Sequence, residues 1–497
     1  MVNFLEPTTV VFPVVGADPI RHRERRAAVA TGTALVSLSI VLLYATVGIL
    51  PEDPLIWVLT PARVVLGVGL VALLLSGAAP ALWRTSLAPA VASLLFAAAL
   101  ATVVSRQDWS AWRGVLTSFA AFVLAFGVRR LLSSSRAALG QLSLIGVAVA
   151  GGVGIQQAAN DIPTGFCRGA ANALADTCGS GAAVRIIGTF GNPNLLAAFL
   201  VLMLPLAAFG VAVLPERSTR LLGTAIIVLG YLATILTWSR SGVLGALAGA
   251  VVFILLRRRG SRRLVVSVAA LCAVIVALVV AAGGSVGVRG QVWTAALRLL
   301  LAHPLGVGLG RAGPLISARI PGNQGIQHAH NLWLNWAVEA GYPGLVAMLA
   351  VTVVAAIIAV RASRGGSLPA AAIGAGLAGF AVICFTDDPV NALRVSLAFW
   401  IMLGLLAGEA PVVAPARKDP APTADPSSEE GPPTDVMAVS ATSATASSTR
   451  HRRSRAEPLA APRSVGPPEE PTPHPRVDGS WPMHRIDDQP VRRGITR

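Results

Sequence analysis

The sequence has little charge for its length. Of its 497 residues only 13% are charged and 54% are apolar, and the mean hydropathy is +0.67. A soluble multidomain protein of this size needs about twice that share of charged residues, so the composition excludes that class. The apolar residues also come in long unbroken runs, which predicts a protein that crosses a membrane many times.

Lysine is almost absent, and Lys418 is the single one. The formal net charge of +16 therefore comes from arginine. A basic excess can indicate nucleic-acid binding, but these arginines stand in short groups between apolar runs, and no basic patch is interleaved with aromatic residues. The pattern predicts membrane topology and no nucleic-acid partner.

Runs of about 20 mostly apolar residues predict an all-α, polytopic integral membrane protein with about twelve transmembrane helices. The predicted spans are 28–50, 57–75, 87–105, 114–132, 137–156, 186–214, 221–238, 242–256, 264–283, 344–360, 369–386 and 392–409. Short cytoplasmic loops are enriched in arginine. Counting alternately from the arginine cluster at 21–26 predicts cytoplasmic N- and C-termini.

The same count divides the chain into three parts. Residues 1–27 form a cytoplasmic segment, and 28–409 form a transmembrane domain whose long external loop, about 284–343, carries short helices. From residue 410 to 497 the chain is rich in Pro, Ser and Arg and has too few large apolar residues for a core, which predicts a disordered cytoplasmic tail.

Cysteine is scarce as well. Of the four cysteines, Cys167 and Cys178 share an external polar segment at about 157–185. These two thiols can form a disulfide if that segment faces an oxidising compartment.

Arginine on the external side contradicts the charge bias and needs an explanation. Arg240 lies in TWSRSG, a tight connection between apolar runs, where charge is costly and usually functional or paired. Arg289 is predicted to begin a helix that Pro304 stops, and free N–H groups at a helix start favour an anion. Converging guanidinium groups would bind a multiply charged anion such as phosphate. The alternative is that each arginine reaches lipid headgroups.

The external loop ends in QHAHNLWLNWAVEAGYPGL, just before the tenth predicted span. Of its two histidines, His328 and His330, either can accept a proton from an attacking hydroxyl at neutral pH. Two alternatives remain. The histidines can hold a metal, although no cluster of acidic or cysteine ligands accompanies them in the sequence, or they are surface residues at a helix entrance. No metal is predicted.

Two further segments are predicted to have structural roles. In GTFGNPNLLAAF, Asn192 and Pro193 precede a long apolar run as a helix cap and a first-turn proline would. The glycines of GVGLG, 306–310, follow no strand and open no dinucleotide-binding unit. They are interpreted as loop flexibility.

Taken in order, four motifs carry a family resemblance. The first three are GTFGNPN at 188–194, SRSG at 239–242, and RGQVW at 289–293 with HPLGVGLG at 303–310. The fourth is a spaced pattern that begins with His and then Asn, Ser or Gln. Nine residues later it has Gly, and after two more residues it has Gly, Thr or Tyr. His330, Asn331, Gly341 and Gly344 fit the final pattern. From about residue 185 to 405 the chain resembles the O-antigen ligase and polymerase superfamily of bacterial glycan-transferring membrane enzymes.

The resemblance implies an inverting, metal-independent glycosyl transfer without a cofactor, on the outer face of the bacterial cytoplasmic membrane. The donor would be a glycan on a polyprenyl diphosphate such as undecaprenyl diphosphate, and the acceptor a hydroxyl on a glycan, lipid or protein. Such a reaction serves polysaccharide or glycoconjugate assembly in the cell envelope.

The resemblance also assigns roles to residues. Arg240 and Arg289 would bind the diphosphate, and His330 would activate the acceptor hydroxyl. The candidates for lining or orienting the substrate site are Arg185, Asn192, Asn194, His328, Asn331, Glu339, Asp387 and Asp388. The last two would contact the acceptor or a sugar, or equally would pair with Arg394.

Other functions remain open. A polysaccharide polymerase or a protein O-oligosaccharyltransferase would belong to the same superfamily. An anion or solute transporter is the main alternative of another class, but carriers place polar elements near the membrane centre in two related halves, and this chain shows neither. A noncatalytic scaffold would leave the external histidines and arginines unexplained.

Overall fold

A computed structural model describes residues 61–75, 82, 84–108, 111–131, 135–168, 178, 183–257, 287–320, 322 and 325–410. Three predictions lie outside the described residues: the N-terminal segment 1–27, the spans at 28–50 and 264–283, and, apart from its first residue, the tail at 410–497.

The described residues form helices and no β-strand. The helices are α1 (Pro61–Leu75), α2 (Leu87–Val104), α3 (Trp112–Leu131), α4 (Ser135–Ala159), α5 (Pro193–Ala212), α6 (Arg217–Leu236), α7 (Arg240–Arg257), α8 (Gly287–Ala302), α9 (Ala312–Ser317), α10 (Leu332–Arg364), α11 (Leu368–Cys384) and α12 (Leu393–Glu409), with a 3-10 turn at Pro389–Asn391. Within the described part, α2 to α7 and α10 are long and apolar enough to cross a membrane. The architecture fits a polytopic membrane protein, and the number of twelve spans stays a prediction.

Helix α10 departs from its predicted span, 344–360. It begins at Leu332, because the side chain of Asn331 accepts a hydrogen bond from the Leu334 N–H and caps the helix. The helix then continues through a kink at Gly341, whose φ of 69° is non-helical. The predicted span begins just after this kink, and Glu339 lies on the helical segment that precedes it.

Helix α5 is the centre of the bundle and α6 lies at its periphery. In the most apolar 18-residue stretch of α5, 83% of the residues are buried, whereas in that of α6 only 22% are buried. Close approach to neighbours depends on small residues, as is usual between membrane helices. A Cβ on Gly140 of α4 would meet the Cα of Gly210 in α5 at 2.5 Å, so these two glycines set the spacing of the pair.

One end of the bundle, called here the site end, collects the starts of α5, α7, α10 and α12 and the end of α11. A helix of about 20 residues is about 30 Å long, so the other ends of these helices lie far away, at the opposite end. Arginines gather there at the ends of several helices: Arg129, Arg130, Arg257, Arg361 and Arg364. Among them Arg129 pairs with Glu409 at the end of α12.

Candidate active site

Asp387 is the hub of a hydrogen-bond network at the site end. Its Oδ1 lies 2.9 Å from Nε2 of His328, 3.2 Å from Nδ1 of His330 and 2.9 Å from the N–H of Asp388. Its Oδ2 accepts from the amide of Asn194 at 3.2 Å. We call Asp387, His328 and His330 the histidine group. These residues are up to 59 positions apart in the chain, and the folding of α10 against α11 and α12 brings them together.

This network holds Asp387 as a carboxylate. Burial alone would raise the pKa of Asp387, because it disfavours the charged form. Hydrogen bonds from both histidines and the positive charge that these rings can carry outweigh burial and hold the pKa of Asp387 well below its usual value. The charge of Asp387 is therefore present throughout the physiological pH range.

His330 is oriented so that one ring nitrogen remains available. A carboxylate only accepts hydrogen bonds, so Nδ1 of His330 carries the proton that faces Asp387. Its Nε2 has no hydrogen-bond partner among the described residues. The backbone of His330 has a φ of 48°, a left-handed conformation that is uncommon outside glycine and is often found at functional sites.

His328 is held on both sides. Besides Nε2 on Asp387, its Nδ1 lies 3.4 Å from Nδ2 of Asn391. Burial favours the neutral ring, but the hydrogen bond to Asp387 and the charges of Asp388, Asp387 and Glu339 outweigh it and raise the pKa of His328. More of His328 is therefore protonated at neutral pH than of an ordinary histidine.

Asn194 connects the histidine group to a cation. Its Oδ1 accepts from Nη2 of Arg185 at 3.2 Å, while its Nδ2 donates to Asp387. The guanidinium of Arg185 also donates through Nε to the carbonyl of Thr237 at 2.9 Å. Burial, and next the positive charge of Arg289, lower the pKa of Arg185. Two arginines predicted as site residues are thus close enough to repel each other.

Arg289 lies in the first turn of α8, which forms at Gly287–Ala302 as the sequence predicted. Its side chain is exposed, whereas Val292, Ala296 and Leu300 of the same helix are buried. We call Arg185, Arg240 and Arg289 the arginine group.

Arg240 is the first residue of α7 and is exposed. Among the described residues it makes no hydrogen bond to the histidine group. The flanking serine has a structural role, because Oγ of Ser239 accepts from the Gly242 N–H at 3.3 Å and caps the helix. The carbonyl of Thr237, three residues earlier, holds Arg185. This hydrogen bond joins the segment that carries Arg185 to the segment that carries the SRSG motif.

Two predicted substrate-binding asparagines hold helix starts instead of facing open space. Oδ1 of Asn192 accepts from the Asn194 N–H at 2.8 Å and caps α5. The amide of Asn331 caps α10 and also donates to the carbonyl of Phe385 at 3.1 Å. That second contact attaches the start of α10 to the segment that carries Asp387.

The GVGLG loop packs tightly against α10, and its interpretation as a flexible loop was wrong. The N–H of Gly308 donates to the carbonyl of Glu339 at 3.0 Å. Gly306 has a φ of 94°, and a Cβ there would collide with the same carbonyl. Only glycine satisfies both conditions, so the loop positions α10 relative to α8.

Asp388 and Glu339 are buried acids beside the histidine group. Only 3% of Asp388 and 9% of Glu339 are exposed. Burial raises the pKa of Asp388 to about 6, the nearby His328 opposes this shift and Asp387 adds to it. Oδ1 of Asp388 has no hydrogen-bond partner among the described residues. Arg394, predicted as a possible partner of these acids, donates to the carbonyl of Thr189.

One nitrogen from each of His328 and His330 and one oxygen of Asp387 lie within 4.8 Å of one another, close enough to hold a metal ion. The argument from sequence against a metal was that no acidic ligand accompanied the histidines, and the fold supplies one. The same atoms already satisfy one another as hydrogen-bond partners. Independence from metal therefore stays a prediction.

Sequence reasoning missed the residues that support the site from a distance. Oε1 of Gln157 accepts from the N–H groups of Ile187 and Gly188, which fixes the loop between Arg185 and α5. The disulfide between Cys167 and Cys178, by contrast, is the pairing that the sequence offered. Arg168 lies 4.0 Å from the centre of the Trp238 ring, next to the SRSG motif. No local pattern marks Gln157, because its function depends on where the helix end is placed.

The comparison with protein families agrees with this arrangement. Residues 225–349 match the family model Wzy_C, described as O-antigen ligase. The match includes Arg240, Arg289 and His330, and Asp387 lies outside it. No curated protein matches the chain. Over residues 225–349 the family match confirms the resemblance to the O-antigen ligase superfamily.

Proposed function

We propose that this protein transfers a glycan from a polyprenyl diphosphate to a hydroxyl acceptor, with inversion and without a metal. The family match supports glycan transfer of the O-antigen ligase or polymerase type. The observation that carries the finer proposal is the hydrogen bond between Asp387 and Nδ1 of His330, which leaves Nε2 of that ring available. A fixed carboxylate behind an imidazole is the usual arrangement for a general base.

In the proposed reaction, Nε2 of His330 takes the proton of the acceptor hydroxyl. The hydroxyl oxygen attacks the anomeric carbon of the donor, and a new glycosidic bond forms. The bond between that carbon and the phosphate oxygen breaks, and its electron pair leaves with the diphosphate. Asp387 keeps the proton on Nδ1 and stabilises the imidazolium that forms.

The arginine group would bind the leaving diphosphate. Three guanidinium groups offer planar donors for phosphate oxygens, and their mutual repulsion is relieved when an anion lies between them. Arg185 supports this role because it is half-buried, lies near Arg289 and connects through Asn194 to Asp387. Stabilisation of charge that develops on the leaving group is a large catalytic contribution.

The proposal places the site on the outer face of the cytoplasmic membrane. Arginines gather at the opposite end of the bundle, and short cytoplasmic loops are enriched in this residue. This argument supports a cytoplasmic opposite end and an external site end, where lipid-linked glycans and envelope acceptors meet.

The test is the release of free polyprenyl diphosphate from a lipid-linked oligosaccharide by purified protein in liposomes. The acceptor panel includes a glycan, a glycolipid and a peptide, and one arm contains EDTA. We expect release that depends on an acceptor and persists with EDTA, and the effective acceptor identifies a ligase, a polymerase or a protein glycosyltransferase. Loss of release with EDTA would contradict metal independence. Absence of release with every acceptor would contradict the proposal and favour transport of an anion, which a flux assay would then measure.

A further inference from the structure

A second polar feature lies beside the histidine group and is lined by none of the three arginines of the arginine group. It is a cavity of about 210 Å³ between α2, α3, α10 and α12. The walls are mostly apolar, and the polar side chains on them are Glu339, Asn335, Asp388 and Asn391, together with Ser118 and Ser396, whose hydroxyls bond each other. Pockets for drug-sized ligands are about 300–1,000 Å³, so this cavity has room for a single ring and not for a whole oligosaccharide.

The cavity adjoins the proposed base directly. Asn391 lines it and faces Nδ1 of His328 at 3.4 Å. Asp388 lines it and donates its N–H to Asp387. A ligand in the cavity would therefore lie one residue away from the carboxylate that orients His330.

Asp388, which lines this cavity, has an acceptor atom without a donor. The residue is almost fully buried, and its Oδ1 has no hydrogen-bond partner among the described residues. A buried oxygen without a partner is unfavourable, and a hydrogen bond from a ligand hydroxyl would remove that cost. Hydroxyl groups donate to carboxylates, whereas phosphate and carboxylate ligands only accept at neutral pH and would be repelled.

The aromatic residues of the wall indicate the shape of the ligand. Trp336 and Trp400 both line the cavity. Indole rings pack well against the apolar C–H face of a sugar ring, while carboxylates bind the hydroxyls at its edge. The combination is suited to an uncharged sugar.

We propose that this cavity is the acceptor subsite and that it binds one neutral sugar ring of the acceptor. The inference rests on the proposed function. It places the acceptor sugar next to His328 and Asp388, beside the carboxylate that orients the proposed base.

Gly114 offers a way to close the cavity without disturbing the fold. It lines the cavity, and a Cβ built on it would meet no atom within 4 Å. Gly114→Leu would fill the space and improve helix propensity. Gly152 of α4 is the matched control, because it is also an exposed helical glycine with nothing within 4 Å and does not line the cavity.

The experiment measures binding and transfer separately. Saturation-transfer NMR on protein in nanodiscs uses methyl glucoside, methyl galactoside and methyl mannoside as neutral probes and methyl glucuronide as the charged one. We expect binding of at least one neutral probe, at least tenfold weaker binding of the glucuronide, and loss of neutral-probe binding in Gly114→Leu but not in Gly152→Leu. In the transfer assay, the acceptor KM of Gly114→Leu and of Asp388→Asn should rise at least tenfold, with an unchanged donor KM.

The outcomes separate the two proposals. If neutral sugars bind the wild-type protein but not Gly114→Leu, and the wild type has no transferase activity, the subsite stands and the proposed function is overturned. Transfer with an unchanged acceptor KM in folded Gly114→Leu would keep the function and overturn the subsite. A raised donor KM alone would assign the cavity to the donor glycan and contradict the proposal. Preference for the glucuronide would also overturn it.

Discussion

The histidine group and the arginine group are built in different ways. Asp387 is 7% exposed and each of its carboxylate oxygens has a hydrogen-bond partner. Arg240 and Arg289 are exposed, and neither is bonded to the histidine group. Asn194 joins the two groups through Arg185. A rigid, preorganised half and an open half suit different tasks, since proton transfer needs fixed geometry and a large anionic lipid needs access.

The difference also explains why the arginines are exposed. A buried unpaired guanidinium is costly, and an anion that must enter and leave cannot be replaced by a permanent acid. The buried acids lie on the side of the histidines, where they do not neutralise the arginines. The comparison predicts that the histidine side controls the rate of chemistry and the arginine side controls binding of the donor.

The largest expected effect is that of His330→Ala. We expect kcat to fall by roughly 10²–10⁴-fold, the usual contribution of a general base, with donor affinity within threefold of wild type. Steady-state transfer assays measure both values. His303→Ala, an exposed histidine of the same loop, is the control and should retain full activity. Substantial transfer by His330→Ala would remove the general-base role.

Asp387→Asn should have the second-largest effect on transfer. The change keeps the shape but replaces an oxygen acceptor with an amide, so both histidines lose their common charged partner. We expect kcat to fall about 10²-fold or more and the donor Kd to stay the same. Asp161→Asn, at an exposed acid after α4, is the control. Unchanged kcat in Asp387→Asn would show that orientation of the ring does not depend on the carboxylate.

Arg289→Ala should weaken donor binding by the arginine group. We expect the donor Kd to rise about tenfold or more and kcat to fall less than in His330→Ala, because in the proposed mechanism the guanidinium contacts both the bound and the leaving diphosphate. Arg298→Ala lies on the same helix with an exposed side chain and should be mild. Equal losses in both variants would indicate a general electrostatic effect instead of a site.

The packing of the GVGLG loop against α10 should affect stability. Gly306→Ala combines a strained φ with a collision against the carbonyl of Glu339, whereas Gly310→Ala has a φ of 69° but open space. Both variants share the backbone strain, so we expect the first to lower Tm by several degrees more than the second, because only the first adds an overpacking cost of about 1–3 kcal/mol. Thermal unfolding in detergent compares them. Equal Tm values would show that the packing of this loop against α10 contributes little.

The smallest effect concerns pH. The pKa of Asp388 is about 6 in the folded protein against an ordinary value of 3.8, so the folded state binds more protons than the unfolded state between about pH 4 and 6. Stability is then highest at the acidic side and falls as pH rises through this range. Asp388→Asn should flatten the dependence of Tm on pH there. A parallel curve for both proteins would contradict the burial of a titrating acid.

Much of the fold follows from patterns within single segments. The apolar runs predict most helices, and the cap and proline at Asn192 and Pro193 predict the start of α5. The predicted tenth span, 344–360, begins after the kink at Gly341, and the structure adds a helical segment from Leu332 on the other side of that kink.

The sequence predicts several residues of the site, but it does not predict which of them contact one another. Motifs identified Arg289 and His330, because each stands in a short recognisable sequence. Asp387 is 57 positions from His330, and the choice between a sugar contact and Arg394 could not be made without the packing of α10 on α11. Asn391 has no distinguishing neighbours at all, and only its position beside His328 reveals it.

The central claim is that one half of the site performs the chemistry and the other binds the donor. Its most direct test measures the Kd of the lipid-linked donor and the single-turnover transfer rate in the same preparations of wild type, His330→Ala and Arg289→Ala. The account predicts that His330→Ala binds the donor normally but transfers at least 10²-fold more slowly, while Arg289→Ala loses donor affinity. Normal donor binding by Arg289→Ala together with loss of binding in His330→Ala would contradict it.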